Sequence, residues 1–276
     1  MLKSVLAGSA LLTAAALPAF AGEIPQAIRD AGKLTLAINA TYPPMEYVDP
    51  ETGGFKGLDI DLVDALAEKL GLEVERTDGA FKQLIPALTT GRTDFILSGM
   101  TDTEERQEAM DFVDYMKAGA QFYVLTDSPI QDPAELCGKR VGTVRSTTYP
   151  GLIEAWSNAN CVEAGKEPIE IVGAESSPDT RAQLRQGRFD AAVQGGETIP
   201  FTSAQEGGNV YRLIGEPLTE AYYGAAFRKE DSEFRDAVAD ALDEMIADGT
   251  YGAIFEKWEL SSHALPAVMI NGEPRE

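Results

Sequence analysis

The chain has 276 residues, 45 acidic and 23 basic, with one histidine and two cysteines, and a formal net charge of −22. That balance excludes partners that attract basic patches, nucleic acid and anionic lipid surfaces among them. A lone histidine, His263, far from the cysteines, leaves no ligand set for a zinc site, and nothing in the sequence calls for a cofactor.

The first residues read as an export signal. Lys3 supplies the positive start, 5–17 is almost wholly apolar, and Ala19-Phe20-Ala21 is a small-x-small cleavage site. The apolar run is short for a bilayer span. Residues 1–21 are therefore expected to be removed after Ala21, and Gly22 leaves no cysteine for lipid attachment there. The mature chain is expected to be periplasmic, without direct membrane insertion and monomeric.

Lys33-Leu-Thr-Leu-Ala-Ile38 alternates as a strand does, and Tyr42-Pro43-Pro44 breaks it. From Asp59 the period changes: Ile60, Val63, Leu66, Ala67 and Leu70 share one helical face, and Gly71 stops it. Alternation returns over 72–77, followed by a helix to Gly91 and a buried strand at 95–98. Thr101-Asp-Thr-Glu104 has the form of a capping box, predicting a helix that starts at Thr101 with Arg106 in its early turns. Further strands are expected at 140–144 and 169–172, with a helix opening at Ser177-Pro178-Asp179, an amphipathic helix through Phe234, Val238, Leu242 and Met245, and a surface tail over 263–276. Strands alternating with helices give an α/β class with largely parallel pairing.

One internal similarity divides the chain. Leu88-Thr-Thr-Gly91-Arg92-Thr-Asp94 through Gly99 matches Leu184-Arg-Gln-Gly187-Arg188-Phe-Asp190 through Gly195. Each reads as a helix end, a glycine cap, a short buried strand and a glycine at the strand's carboxyl end. Ligands of open α/β sheets bind at such ends, so Gly99 and Gly195 are expected to face one cleft. Arg106, with the helix N-terminus and the hydroxyls of Ser98, Thr101 or Thr103, suits a carboxylate; the alternative is a plain surface pair with an acid such as Asp102. Cys137 and Cys161, in an exported chain, are expected to form a disulfide.

Tyr42-Pro-Pro-Met-Glu-Tyr47, Gly57-Leu-Asp-Ile-Asp-Leu62, Leu84-Ile-Pro-Ala-Leu88, Met100-Thr101 with Glu105-Arg106, Gly138-Lys-Arg-Val-Gly142, Ser146-Thr-Thr148 and Asp248-Gly-Thr-Tyr251 occur in order along the chain. In these the chain resembles the family 3 extracellular solute-binding proteins. The resemblance implies a two-lobed periplasmic binding protein fold with two crossover hinge strands, near 122–125 and 218–223. Lobe 1 would hold 22–122 and 222–262, and lobe 2 would hold 123–221. It implies no enzyme, but the periplasmic component of an ABC importer that closes its lobes on a small zwitterionic polar amino acid or derivative and docks to a membrane permease. Tyr42 and Phe81 would wall the ligand's side chain. Arg106 would grip the carboxylate with Thr101 and the amides at Thr147 and Thr148, and the Gly99 carbonyl would take the ammonium.

Where amino-acid-binding members carry an aspartate for that ammonium, this chain has Gly195, followed by Gly196 and Glu197. Glu197 reaching back, Glu46 serving from lobe 1, and a ligand without a free α-ammonium are all open; so is Glu197 as an ordinary first-turn acid. Two other functions share the resemblance: a periplasmic cyclohexadienyl dehydratase-like enzyme, and a ligand-sensing partner of a separate receptor.

Overall fold

The computed structural model describes residues 24–275, and the expected leader and its cut after Ala21 lie outside them. Helix α1 (Gln26–Ala31) leads into β1 (Lys33–Ile38), where Leu34, Leu36 and Ile38 are fully buried. Strands β2 (Thr41–Tyr42), β3 (Glu46–Val48) and β4 (Phe55–Lys56) form a small antiparallel sheet beside it. Helix α2 (Leu58–Leu70) lays Leu62, Val63 and Leu66 on the core and ends at Gly71, as its period predicts. Then come β5 (Glu73–Asp78), α3 (Leu84–Thr89), β6 (Phe95–Ile96), α4 (Glu104–Gln107) and β7 (Met110–Ala118).

Past Gly119 the chain enters a second sheet: β8 (Ala120–Leu125), β9 (Arg140–Val144), α5 (Tyr149–Ser157), β10 (Glu170–Ala174), α6 (Ser177–Arg185), β11 (Ala191–Gly195), α7 (Ile199–Gln205) and β12 (Tyr211–Ile214). It returns through β13 (Ala221–Arg228), α8 (Ser232–Asp248), α9 (Thr250–Lys257), β14 (Ala264–Ile270) and β15 (Glu273–Pro274). The change of sheet thus falls at Gly119, just before the stretch read as the first crossover. Phe122 is a fully buried member of β8, pairing with Val193 and Ile214. The two crossings run side by side, with the Leu218 N–H donating to the Ala120 carbonyl at 2.6 Å.

The larger sheet has the order β15-β14-β7-β13-β6-β1-β5 and the smaller β10-β9-β11-β8-β12. Pairing is mixed rather than largely parallel. In both sheets two parallel pairings (β5-β1-β6 and β10-β9-β11) are followed by two antiparallel ones (β6-β13-β7 and β11-β8-β12). The antiparallel members include the strands that cross between lobes, which local sequence pattern does not reveal.

The internal similarity is real at the level of single hydrogen bonds. Gly91 and Gly187 both adopt the left-handed backbone, φ 69° and 68°, and each donates to the carbonyl of the leucine three residues before it. Asp94 accepts from the Thr35 N–H at the start of β1 (2.7 Å), and Asp190 from the Arg140 N–H at the start of β9 (2.9 Å). The same aspartate therefore ties each short strand to its parallel neighbour.

The stretch expected as a surface tail over 263–276 is, in its described part, built into the fold. Strand β14 pairs antiparallel with β7, burying Leu265 and Val268, so the end of the chain extends the larger sheet. The short run 264–270 with a central proline hides this: Pro266 falls in the irregular part of the pairing between Ala264 and Met269. Cys137 and Cys161 are bonded. Among the described residues no helix is long and apolar enough to cross a membrane.

Candidate functional site

The site is the narrow gap between the lobes, walled by side chains from both. From the first lobe it is lined by Asn39 and Tyr42 just beyond β1, Glu46, Phe81, Ser98 and Gly99 beyond β6, and Thr101 with Arg106. The second lobe contributes Val144, Thr147, Thr148 and Tyr149 between β9 and α5, and Ser176 with Ser177 beyond β10. Most of these lie at the carboxyl ends of parallel strands, where the backbone leaves the sheet and presents side chains to the crevice.

Arg106 dominates the chemistry. Its guanidinium is half-buried, stands 5.8 Å over the Phe81 ring and donates from one nitrogen to the Thr101 carbonyl at 2.7 Å. Burial pushes its pKa down. Among the described residues it forms no ion pair; Asp102, the surface partner considered for it, accepts instead from the Gln107 amide at 2.8 Å. A half-buried cation with no acid at ion-pair distance is partly uncompensated, and an anion in the cleft relieves that cost.

Thr101 does not start a helix. Its backbone bridges to Tyr223, and the N-cap is Thr103, whose hydroxyl oxygen accepts from the Arg106 N–H at 3.3 Å. The capping signature was read two residues early because the sequence offers two threonines in the same setting. The bridge leaves Thr101 free to carry its carbonyl to Arg106, and α4, a single turn, serves to place that arginine.

Thr147 bonds within its own loop. Its hydroxyl donates to the Val144 carbonyl at 2.7 Å and accepts from the Tyr149 N–H at 3.3 Å, shaping the loop that opens α5. Tyr149 itself was not singled out from the sequence, nor were Asn39, Val144, Ser176 and Ser177. The strand-end rule applied to β1, β9 and β10 would have found them; it was applied only to the repeated Gly99 and Gly195.

Gly195 and Glu197 are not brought into the cavity lining. Between them and the cavity stand three tyrosines, Tyr149 and Tyr223 buried and Tyr42 half-buried, whose hydroxyls meet: Tyr42 to Tyr223 at 3.0 Å, Tyr42 to Tyr149 at 3.2 Å and Tyr149 to Tyr223 at 3.3 Å. The Gly195 N–H donates to the Tyr42 oxygen at 3.0 Å, across the lobes. Glu197 does turn back toward the glycine, where its Oε1 accepts from the Tyr223 O–H at 2.8 Å. Burial raises the Glu197 carboxyl to about 7. The tyrosine cluster fills the place where a ligand would have met that carboxylate.

Glu46 lines the first-lobe wall. Its Oε1 accepts from the Ser98 hydroxyl at 2.8 Å, and burial, then the charge of Asp59, hold its pKa well above the usual carboxylate range. Asp59, raised by burial to about 6, accepts from the Gly99 N–H at 2.7 Å and the Tyr115 O–H at 3.0 Å.

The lobes also touch outside the cavity. The Thr202 hydroxyl donates to the Pro43 carbonyl at 3.3 Å, Phe201 packs against Tyr47 and Trp258 with ring centres 6.0 and 5.8 Å away, and Lys82 faces Glu175 at 3.7 Å. The structure is a closed form.

The profile of the bacterial extracellular solute-binding proteins, family 3, matches residues 34–261. The chain is similar to the arginine-binding protein of Corynebacterium glutamicum, 32% identical over 94% of this chain and 84% of that protein. It is similar to the histidine-binding periplasmic protein of Escherichia coli, 33% identical over 94% of this chain and 97% of that one. Among solved structures it resembles an ancestral amino acid-binding protein, a precursor of cyclohexadienyl dehydratase. That match is 30% identical with a TM-score of 0.74, covering 84% of this chain and 97% of the other.

Proposed function

The chain belongs to the bacterial extracellular solute-binding proteins of family 3, and on that premise we propose that it is the periplasmic capture component of an ABC importer, closing on a small polar amino acid or amino-acid derivative. The observation that carries this is Arg106: a half-buried guanidinium with no ion-pair partner among the described residues, facing a gap lined by hydroxyls from both lobes. A ligand carboxylate satisfies the first-lobe cation while its other atoms reach Thr147, Thr148 and Ser176, so binding favours the closed form by contacts that the open form lacks. Its relatives are named as binding proteins, not enzymes.

In this reading the leader is cut after Ala21, the protein acts as a monomer, and a membrane permease receives the closed form. Thr101 and the amides near Thr148 assist Arg106, and Phe81 walls the ligand while holding the guanidinium. Calorimetric titration of the purified protein with a panel of polar amino acids and their derivatives tests the proposal. Binding by one or a few carboxylate-bearing members is expected, and binding by none would reject it.

A dehydratase on this fold is the second reading, favoured by one feature, the buried Glu197 carboxyl near neutrality. A general acid must reach the atom it protonates, and the tyrosine cluster separates Glu197 from the cavity. Incubation with prephenate or arogenate is accordingly expected to yield no aromatic product.

A further inference from the structure

The charges that face the cleft narrow the ligand further, on the proposed reading that it is an amino-acid-like carboxylate. Arg106 and Glu46 are the only side chains in the described lining that could carry charge near neutral pH. Glu46 is already committed. One oxygen takes the Ser98 hydroxyl, and burial together with the nearby charge of Asp59 holds its carboxyl well above the usual range. Two neighbouring buried carboxyls ionise together only at high cost, and both Glu46 and Asp59 are fully buried. Asp59 has the Gly99 N–H and the Tyr115 O–H to stabilise its charge, so the proton stays on Glu46. Glu46 therefore shows the cleft a neutral carboxyl.

The second lobe offers no carboxylate in its stead. A Cβ built on Gly195 would lie 2.0 Å from Glu197 Oε1 and 2.5 Å from the hydroxyls of Tyr42 and Tyr223, so that space is filled with protein atoms. Tyr223 donates to Glu197, and the hydroxyl cluster closes over it. A primary ammonium carried in beside a carboxylate on Arg106 would meet hydroxyls and carbonyls but no counter-charge, a costly state in a water-poor gap. A neutral group with one donor or acceptor meets the same hydroxyls without that cost.

We infer that the cleft selects small carboxylates of net charge −1, amino-acid derivatives in which the α-nitrogen is acylated or replaced by a hydroxyl or keto oxygen, over free amino acids. The preference sets this chain apart from relatives named for arginine and histidine, because it is set at the α-nitrogen and not by the acids Asp78 and Glu175 that line the adjoining space beyond Phe81 and Ser176.

The test is isothermal titration calorimetry of the purified protein with glutamine, histidine and arginine, with the N-acetyl form of each, and with 2-hydroxy and 2-oxo acids of matching chain length. The expected result is that at least one derivative binds roughly tenfold or more tighter than every free amino acid, the scale of one uncompensated polar group. A free amino acid that binds as tightly as its derivatives, or tighter, overturns the inference and leaves carboxylate capture standing. Heat from none of them overturns carboxylate capture and the inference together.

Discussion

At the scale of single residues, the structure concentrates its unfavourable electrostatics where a ligand relieves it. Replacing Arg106 with alanine removes a charge-assisted, two-point contact to the carboxylate and is expected to weaken ligand binding on the order of 100-fold. The same change removes a half-buried cation that has no ion-pair partner among the described residues, so the melting temperature of the ligand-free protein should change little. Calorimetry and thermal melts on one preparation check both; a melt that falls with binding intact would reverse the assignment. The buried acids set a second expectation. Asp59, Asp114 and Glu197 are raised by burial to about 6, 7 and 7, from ordinary values near 4. Their protons stay bound in the folded chain at pH values where the unfolded chain has released them. Stability is therefore expected to be greatest at the acid end of that window, to fall as pH rises from about 5 to 7, and to level off above. Thermal melts at pH 5.5 and 8 measure it, and a higher melting temperature at pH 8 would contradict these protonation states.

At the scale of elements, most of what builds the fold was legible and the errors have common causes. The repeat of Gly91-Arg92 and Asp94 in Gly187-Arg188 and Asp190 located two matching strand units, because the cap and the strand tie need those residue types. The pleat of β1 and the face of α2 were plain from period alone. Strand β14 was missed because seven residues with a proline carry too little alternation, and its pairing partner, β7, lies about 150 residues away in sequence. It matters energetically. Leu265 is 4% exposed beneath the edge of the sheet, and Leu265→Ala is expected to cost about 2–4 kcal/mol. Urea denaturation measures this; a loss below about 0.5 kcal/mol, the range of an ordinary surface change, would restore the view of a surface tail.

At the scale of the whole molecule, function depends on the balance between open and closed lobes. The site was half legible: sequence brought Arg106, Thr101, Ser98, Gly99, Tyr42, Phe81, Thr147 and Thr148 to the one gap where they lie. It could not show that Tyr42, Tyr149 and Tyr223, drawn from both lobes and a crossover strand, would meet and shut Glu197 away. Contacts of that kind depend on how the lobes close, which no local pattern encodes. Closure is also held at a distance from the ligand, where Phe201 of α7 packs on Tyr47 and Trp258 of the first lobe. Phe201→Ala removes aromatic contacts of about 1 kcal/mol that exist only when the lobes are shut, so affinity should fall roughly fivefold without any change at the cavity. Calorimetry on that variant checks the coupling, and unchanged affinity would place closure wholly in the ligand's contacts.

The central claim is that the cleft captures a small carboxylate on Arg106. Its most direct test is mass spectrometry of the solute released when protein purified from the periplasm is denatured. The account predicts a small molecule bearing a carboxyl group, recovered from the native protein and depleted from the Arg106→Ala variant. A solute without a carboxyl group, or one carried equally by both proteins, would contradict it.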